Sequence, residues 1–132
     1  MKHRPTNAPT RFQFEAAVER ARAAGRQAAE GRYLELALRL QAQEPLLEAS
    51  GGALLVVKAD GRTALGRLLG ALSRNPIPGV SITRIRRAQY MVNVEGVCRY
   101  QGESLNEAAE RAVLGVLRDE LGVEVCMKRF VD

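Results

Sequence analysis

The stretch "VSITRIRRAQYMVNV", residues 80–94, decides how the rest of the chain is read. Val80 and Ile82 alternate with Ser81 and Thr83, the period of a strand with one face on a core. At Arg84-Ile85 the alternation slips by one residue, which predicts a β-bulge. Beyond Arg87, at the turn, "QYMVNVEGVCRY" (89–100) resumes the strand pattern. Two consecutive strands joined by a short turn therefore form the middle of the fold.

Upstream, "NPIPG" (75–79) is a turn, and "DGRTALGRLLGALSRN" (60–75) has Leu65, Leu68, Leu69 and Leu72 on one side of a helix. Before it, "ALLVVKA" (53–59) is a continuous apolar run, as expected of a strand buried on both faces. Downstream, "SLNE" (104–107) has the pattern of a capping box, Ser104 with Glu107, and opens a helix to Leu121. Leu105, Ala109, Ala112, Val113 and Val116 face inward there, and Gly122 is the stop signal. "VEVCMKRFV" (123–131) is the last strand.

The order from residue 53 is β-α-β-β-α-β, which predicts an α+β, ferredoxin-like βαββαβ sandwich over residues ~53–131. Its first and third strands are expected at the centre. Ahead of it, residues 1–9 read as a flexible basic tail, and 10–50 as a helical extension joined to the 53–132 unit. "TRFQ" (10–13) fits a capping box, and Phe14, Val18, Ala21, Ala24 and Ala28 share one helical face. Gly31 interrupts the run. "RYLELALRLQAQE" then reads as a second, well-buried helix with Leu34, Leu36, Leu38 and Leu40 around its axis. This N-terminal helical pair is expected either to cover the open face of the sheet or to make a dimer.

Apolar residues form 46% of the 132-residue chain and charged residues 27%, values typical of folded soluble domains rather than disordered chains. The net charge of +5 is unevenly placed. Residues 51–100 hold 8 basic and 2 acidic groups, against 4 and 7 in residues 101–132. Of the 20 basic residues 17 are arginine, which forks onto phosphate or carboxylate better than lysine does. "MKHRPTNAPT" has no apolar run after its basic residues, and Ala53–Val57 is too short to cross a bilayer. A cytoplasmic protein with no membrane partner is expected.

Chemistry-bearing motifs are sparse. Gly61-x4-Gly66 has phosphate-loop spacing, but Arg67 and Leu68 stand where lysine and a magnesium-holding hydroxyl are needed. Asp60-Gly61 is read instead as a turn that caps the helix, and Gly66 and Gly70 as a close-approach surface. Cys98 and Cys126 are the only cysteines and His3 the only histidine, too few for a structural zinc. The cysteines are expected to be free thiols on opposite faces. No histidine within the fold can act as a base, and Asp60 and Glu95, the only acids in 51–100, are not paired. No catalytic residue, cofactor or metal is assigned. A sheet of this topology can stack bases on aromatics of its central strands, but "LLVVK" has none and "QYMVNV" only Tyr90.

The arginines remain. Arg84 and Arg86 are read as sharing one strand face, with Arg87 at the turn and Arg62, Arg67 and Arg74 on the neighbouring helix. Together they would form a basic flank for the backbone of DNA or RNA, the tail's Lys2 and Arg4 adding to it. The same charges would also guard an exposed edge strand from pairing. The alternative function is protein binding, as an adaptor, subunit or inhibitor of a nucleic-acid-handling complex, with a homodimer one form of it. Its contacts would come from the helices, the sheet edge, or acidic Glu103, Glu107 and Glu110.

Overall fold

The computed structural model describes residues 9–41, 51–60, 62–98 and 103–131. The elements run α1 (Arg11–Gln41), β1 (Gly51–Lys58), α2 (Ala64–Arg74), β2 (Val80–Arg86), β3 (Gln89–Val94), α3 (Glu103–Leu121) and β4 (Glu124–Val131). The four strands form one sheet in the order β2-β3-β1-β4, each neighbouring pair antiparallel. β1 and β3 are its inner strands.

Alternation assigns the two faces. Leu55 and Val57 of β1, Val80 and Ile82 of β2, and Tyr90, Val92 and Val94 of β3 join a single buried cluster with residues of all three helices. The opposite face carries Ser81, Thr83, Gln89, Met91, Asn93, Leu54, Val56, Lys58, Glu124, Cys126 and Lys128, by the cross-strand register. Val56 is buried on that face too, but Leu54, at 38%, and Lys58 are exposed there, so β1 is not buried on both faces as its apolar run predicts.

The local signals at α1 hold. Thr10 N–H donates to Gln13 Oε1 at 2.9 Å, and Gln13 N–H donates back to Thr10 Oγ1 at 3.1 Å. The expected helical pair, however, is one continuous helix of 31 residues. A single glycine costs a helix only about 1 kcal/mol, too little to break it when both flanks are good helix formers. Gly31 is solvent-exposed with no atom within 4 Å of a would-be Cβ. Gly31→Ala is therefore expected to stabilise the fold by about 0.5–1 kcal/mol, read as a rise in melting temperature.

The expectation that residues 32–40 are well buried is overturned as well. Phe14, Ala17, Val18, Ala21, Gly25 and Ala29 are buried, whereas Leu34 and Leu38 are 61% and 66% exposed. Leu40 lies outside the described side chains. Length explains this. α1 lies antiparallel along α3, with Arg20 paired to Glu120 and Arg32 Nε donating to Ser104 Oγ at 3.0 Å. At ~1.5 Å per residue, α3 is about 28 Å long and α1 about 46 Å. Beyond Arg32 the longer helix has outrun its partner. Because α1 shares the buried cluster with α2 and α3, it does not cover the open sheet face.

Arginines of α1 fasten it to loop carbonyls. Arg22 donates to Glu95 O at 2.9 Å and Gly79 O at 3.1 Å, Arg26 to Gly96 O at 2.6 Å, and Arg11 to Asn75 O at 3.0 Å. Gly79 needs its positive φ of 79°; a Cβ there would lie 2.5 Å from the end of the Arg22 side chain, which would have to shift.

Other boundaries shift by small, explicable amounts. α2 starts at Ala64 with Thr63 as its N-cap, not Asp60. Thr63 Oγ1 accepts from Gly66 N–H at 3.0 Å, while Asp60 Oδ1 accepts from Arg62 N–H at 2.9 Å. β3 ends at Val94 rather than near 100, because Gly96 turns the chain with φ 73°. α3 already includes Glu103, so Ser104 lies in its first turn. Leu105, Ala109, Val113 and Leu117 are its buried ridge, while Ala112 and Val116 are half-buried. The stop at Gly122 holds: φ is 65°, and its N–H donates to Arg118 O at 3.0 Å.

Candidate functional site

The bulge expected at Arg84–Ile85 is present, and it changes the arginine geometry. Arg84 pairs with Tyr90 and Arg86 with Gln89, leaving Ile85 as the extra residue. Tyr90 and Gln89 are adjacent and so point to opposite faces. Directly paired residues share a face, so Arg84 lies on the helix side and Arg86 on the open side. The expected common face is thus corrected: the two arginines flank the sheet edge from above and below, with Arg87 at the hairpin tip.

Contacts bring the α2 arginines to the same end. Ala59 N–H donates to Ala88 O at 2.9 Å, tying the chain after β1 to the hairpin tip. Arg62 follows three residues later, and Arg67 Nη1 donates to Arg62 O at 2.6 Å. Tyr90, the partner of Arg84, places its hydroxyl 3.5 Å from Gly66 O and close under Gly70. Tyr90 thus lies against α2 between Gly66 and Gly70, with Arg67 and Arg74 on either side of Gly70. Arg74 is the outlier, about 10 Å further along the helix axis than Arg67.

All six arginines are exposed: Arg62, Arg67, Arg74, Arg84, Arg86 and Arg87. Among the described residues none of them forms an ion pair with a carboxylate. The contrast with the outer helices is plain. There Arg11, Arg20, Arg22, Arg32 and Arg111 are all paired with glutamates.

Strand register adds two residues that the sequence did not single out. Arg86 faces Gln89, Gln89 faces Lys58, and Lys58 faces Glu124, forming one row across the open face. Lys58 extends the basic rim inward. Gln89 lies between the two cations, its Oε1 buried without a hydrogen-bond partner among the described residues. Glu124 and Asp60 bound the rim with negative charge. Hydrophobic periodicity cannot reveal such a row, because it depends on pairing strands thirty residues apart.

The remaining motifs behave as structure. Gly66 N–H serves the Thr63 cap, which removes it from phosphate binding, and Gly61 lies outside the described residues. Neither Cys98 nor Cys126 forms a disulfide. Cys98 packs against the common core from the turn after β3, while Cys126 faces Val56 on the open side. Asp60 and Glu95 lie near opposite ends of β3, roughly 20 Å apart at ~3.3 Å per strand residue. Among the described residues no three His, Cys, Asp or Glu gather where they could hold a metal. His3, Lys2 and Arg4 lie outside the described residues, as does the Glu103 side chain.

No protein-family model, curated protein or solved structure matches the chain. Among the described residues no helix is long and apolar enough to cross a membrane.

One acid outside the rim is strongly perturbed. Burial pushes the Glu110 carboxyl on α3 up from the usual 4.5 to about 7. The folded chain then holds this proton more tightly than the unfolded chain. Stability from it is complete below pH 4.5 and is lost as pH rises through 7. Between pH 5 and 8 the wild type is expected to lose on the order of 2 kcal/mol from this group. Denaturant melts of Glu110→Gln across that range should lack this loss.

Proposed function

We propose that this is a small non-enzymatic protein that binds the backbone of nucleic acid through the arginine rim at the hairpin end of its sheet. The observation that carries the reading is the exposure of six arginines that have no carboxylate partner among the described residues, five of them drawn to one end of the sheet. Guanidinium groups left unneutralised repel one another and favour a polyanion that can accept from several of them. The rim offers charge and forked donors rather than a groove of base-reading side chains, so the contacts would be to phosphates with little sequence preference. The scaffold is read as a ferredoxin-like sandwich. The inner position of β1 and β3 and the antiparallel pairing throughout support that assignment.

A second reading has its own observation. The stretch of α1 beyond α3 exposes Leu34, Leu38 and, at 44%, Tyr33. An apolar helix surface of this kind suits a protein partner, and an adaptor or inhibitor in a nucleic-acid-handling complex would use both surfaces. Titration of short DNA and RNA at low salt tests the first reading. Saturable binding supports it, and no binding ends it. A pull-down after nuclease treatment tests the second, which fails if Leu34→Ser/Leu38→Ser captures the same proteins as the wild type.

A further inference from the structure

The two edges of the sheet are treated differently. The β2 edge carries a bulge and three arginines, devices that discourage another strand from adding there. The β4 edge has no bulge, and its charges, Glu124, Lys128 and Arg129, are of both signs rather than one. It pairs with β1 in unbroken register over eight residues, and no described element pairs with its outer side.

From this edge we infer that the chain forms a homodimer by antiparallel pairing of β4 with β4 of a second copy. The sequence of the strand selects the register. Glu124, Cys126 and Lys128 lie on the open face, and Val125 and Met127 on the helix face. A two-fold axis through Cys126 sets Glu124 of each copy opposite Lys128 of the other, giving two opposite-charge pairs. It also sets Val125 against Met127 twice on the helix face. Moving the axis to Met127 loses the charge match and puts Cys126 against Lys128. Moving it to Lys128 sets the two lysines against each other. Opposed charges across a strand pair stabilise it and like charges destabilise it, so the Cys126-centred register is the favoured one. Glu124 and Lys128 are exposed and free to make these pairs. The two Cys126 Cα atoms would then stand about 4.5–5.5 Å apart, within disulfide reach.

The inference does not rest on nucleic-acid binding, and its test contains no nucleic acid. Sedimentation of the full 14.5 kDa chain over a concentration series is expected to show a species of twice that mass. Lys128→Glu and Glu124→Lys should each weaken association by about tenfold, and the double reversal should restore it. Diamide, which takes up the two electrons and two protons of the thiols, should link the wild type and Cys98→Ser but not Cys126→Ser. A monomer at every concentration would overturn the inference. So would a dimer indifferent to both charge reversals, or cross-linking that survives loss of Cys126.

Discussion

Gly25→Val is expected to cost about 3 kcal/mol or more, a large share of the roughly 5–15 kcal/mol that holds a domain together. Gly25 sits on the buried face of α1 where it crosses α3. A Cβ there would fall 2.2 Å from Val97 Cγ1, 2.9 Å from Val113 Cγ2 and 3.2 Å from Ala109 O. Both valines are β-branched and stiff at χ1, and a helix carbonyl cannot move aside without its neighbours. The helix-propensity gain on replacing glycine by valine, about 0.5 kcal/mol or less, is too small to offset three such contacts. The same helix thus carries two glycines with opposite predicted signs, Gly25 at a close approach and Gly31 in open solvent. Chemical denaturation of both variants checks the packing directly. A neutral Gly25→Val would mean that α1 and α3 do not approach this closely.

Arg84→Ala/Arg86→Ala/Arg87→Ala is expected to lower affinity for a short oligonucleotide on the order of a hundredfold or more at low salt. Each phosphate contact releases close to one counterion, so three lost contacts multiply. The three side chains are exposed and support no described ion pair, so the melting temperature should stay within a few degrees of wild type. Arg22→Ala is the informative control. It removes a guanidinium committed to Gly79 O and Glu95 O, so it should weaken the fold and leave oligonucleotide affinity of the folded protein unchanged.

Many features that depend on short sequence separations are legible in the residues themselves, although the caps expected at Asp60 and Ser104 fall instead to Thr63 and to a helix start at Glu103. The Thr10–Gln13 box, the bulge at Arg84–Ile85, the glycine stop at 122 and the identity of the strands all rest on neighbours a few residues apart. Gly31 is a local exception, a helix break in appearance that the helix-forming strength of its flanks overrides. Features that depend on distant partners are not legible in this way. The leucines at 34 and 38 have core chemistry but lie beyond the reach of α3. At the site, the arginines are visible from charge and position, but their arrangement is not. A bulge can be suspected from a slipped alternation, yet only pairing with β3 shows which arginine turns to which face. The row Arg86–Gln89–Lys58 emerges only once three strands are in register.

The central claim is that this rim binds a polyanion through phosphate contacts, and the salt dependence of wild-type affinity tests it most directly. Binding of a short oligonucleotide measured from about 50 to 200 mM salt should give a log–log slope of about −3 to −5, as expected for roughly four to six contacts. The slope should fall by about 1 for each rim arginine removed. A flat salt dependence, or a slope unchanged in the triple variant, would contradict the account.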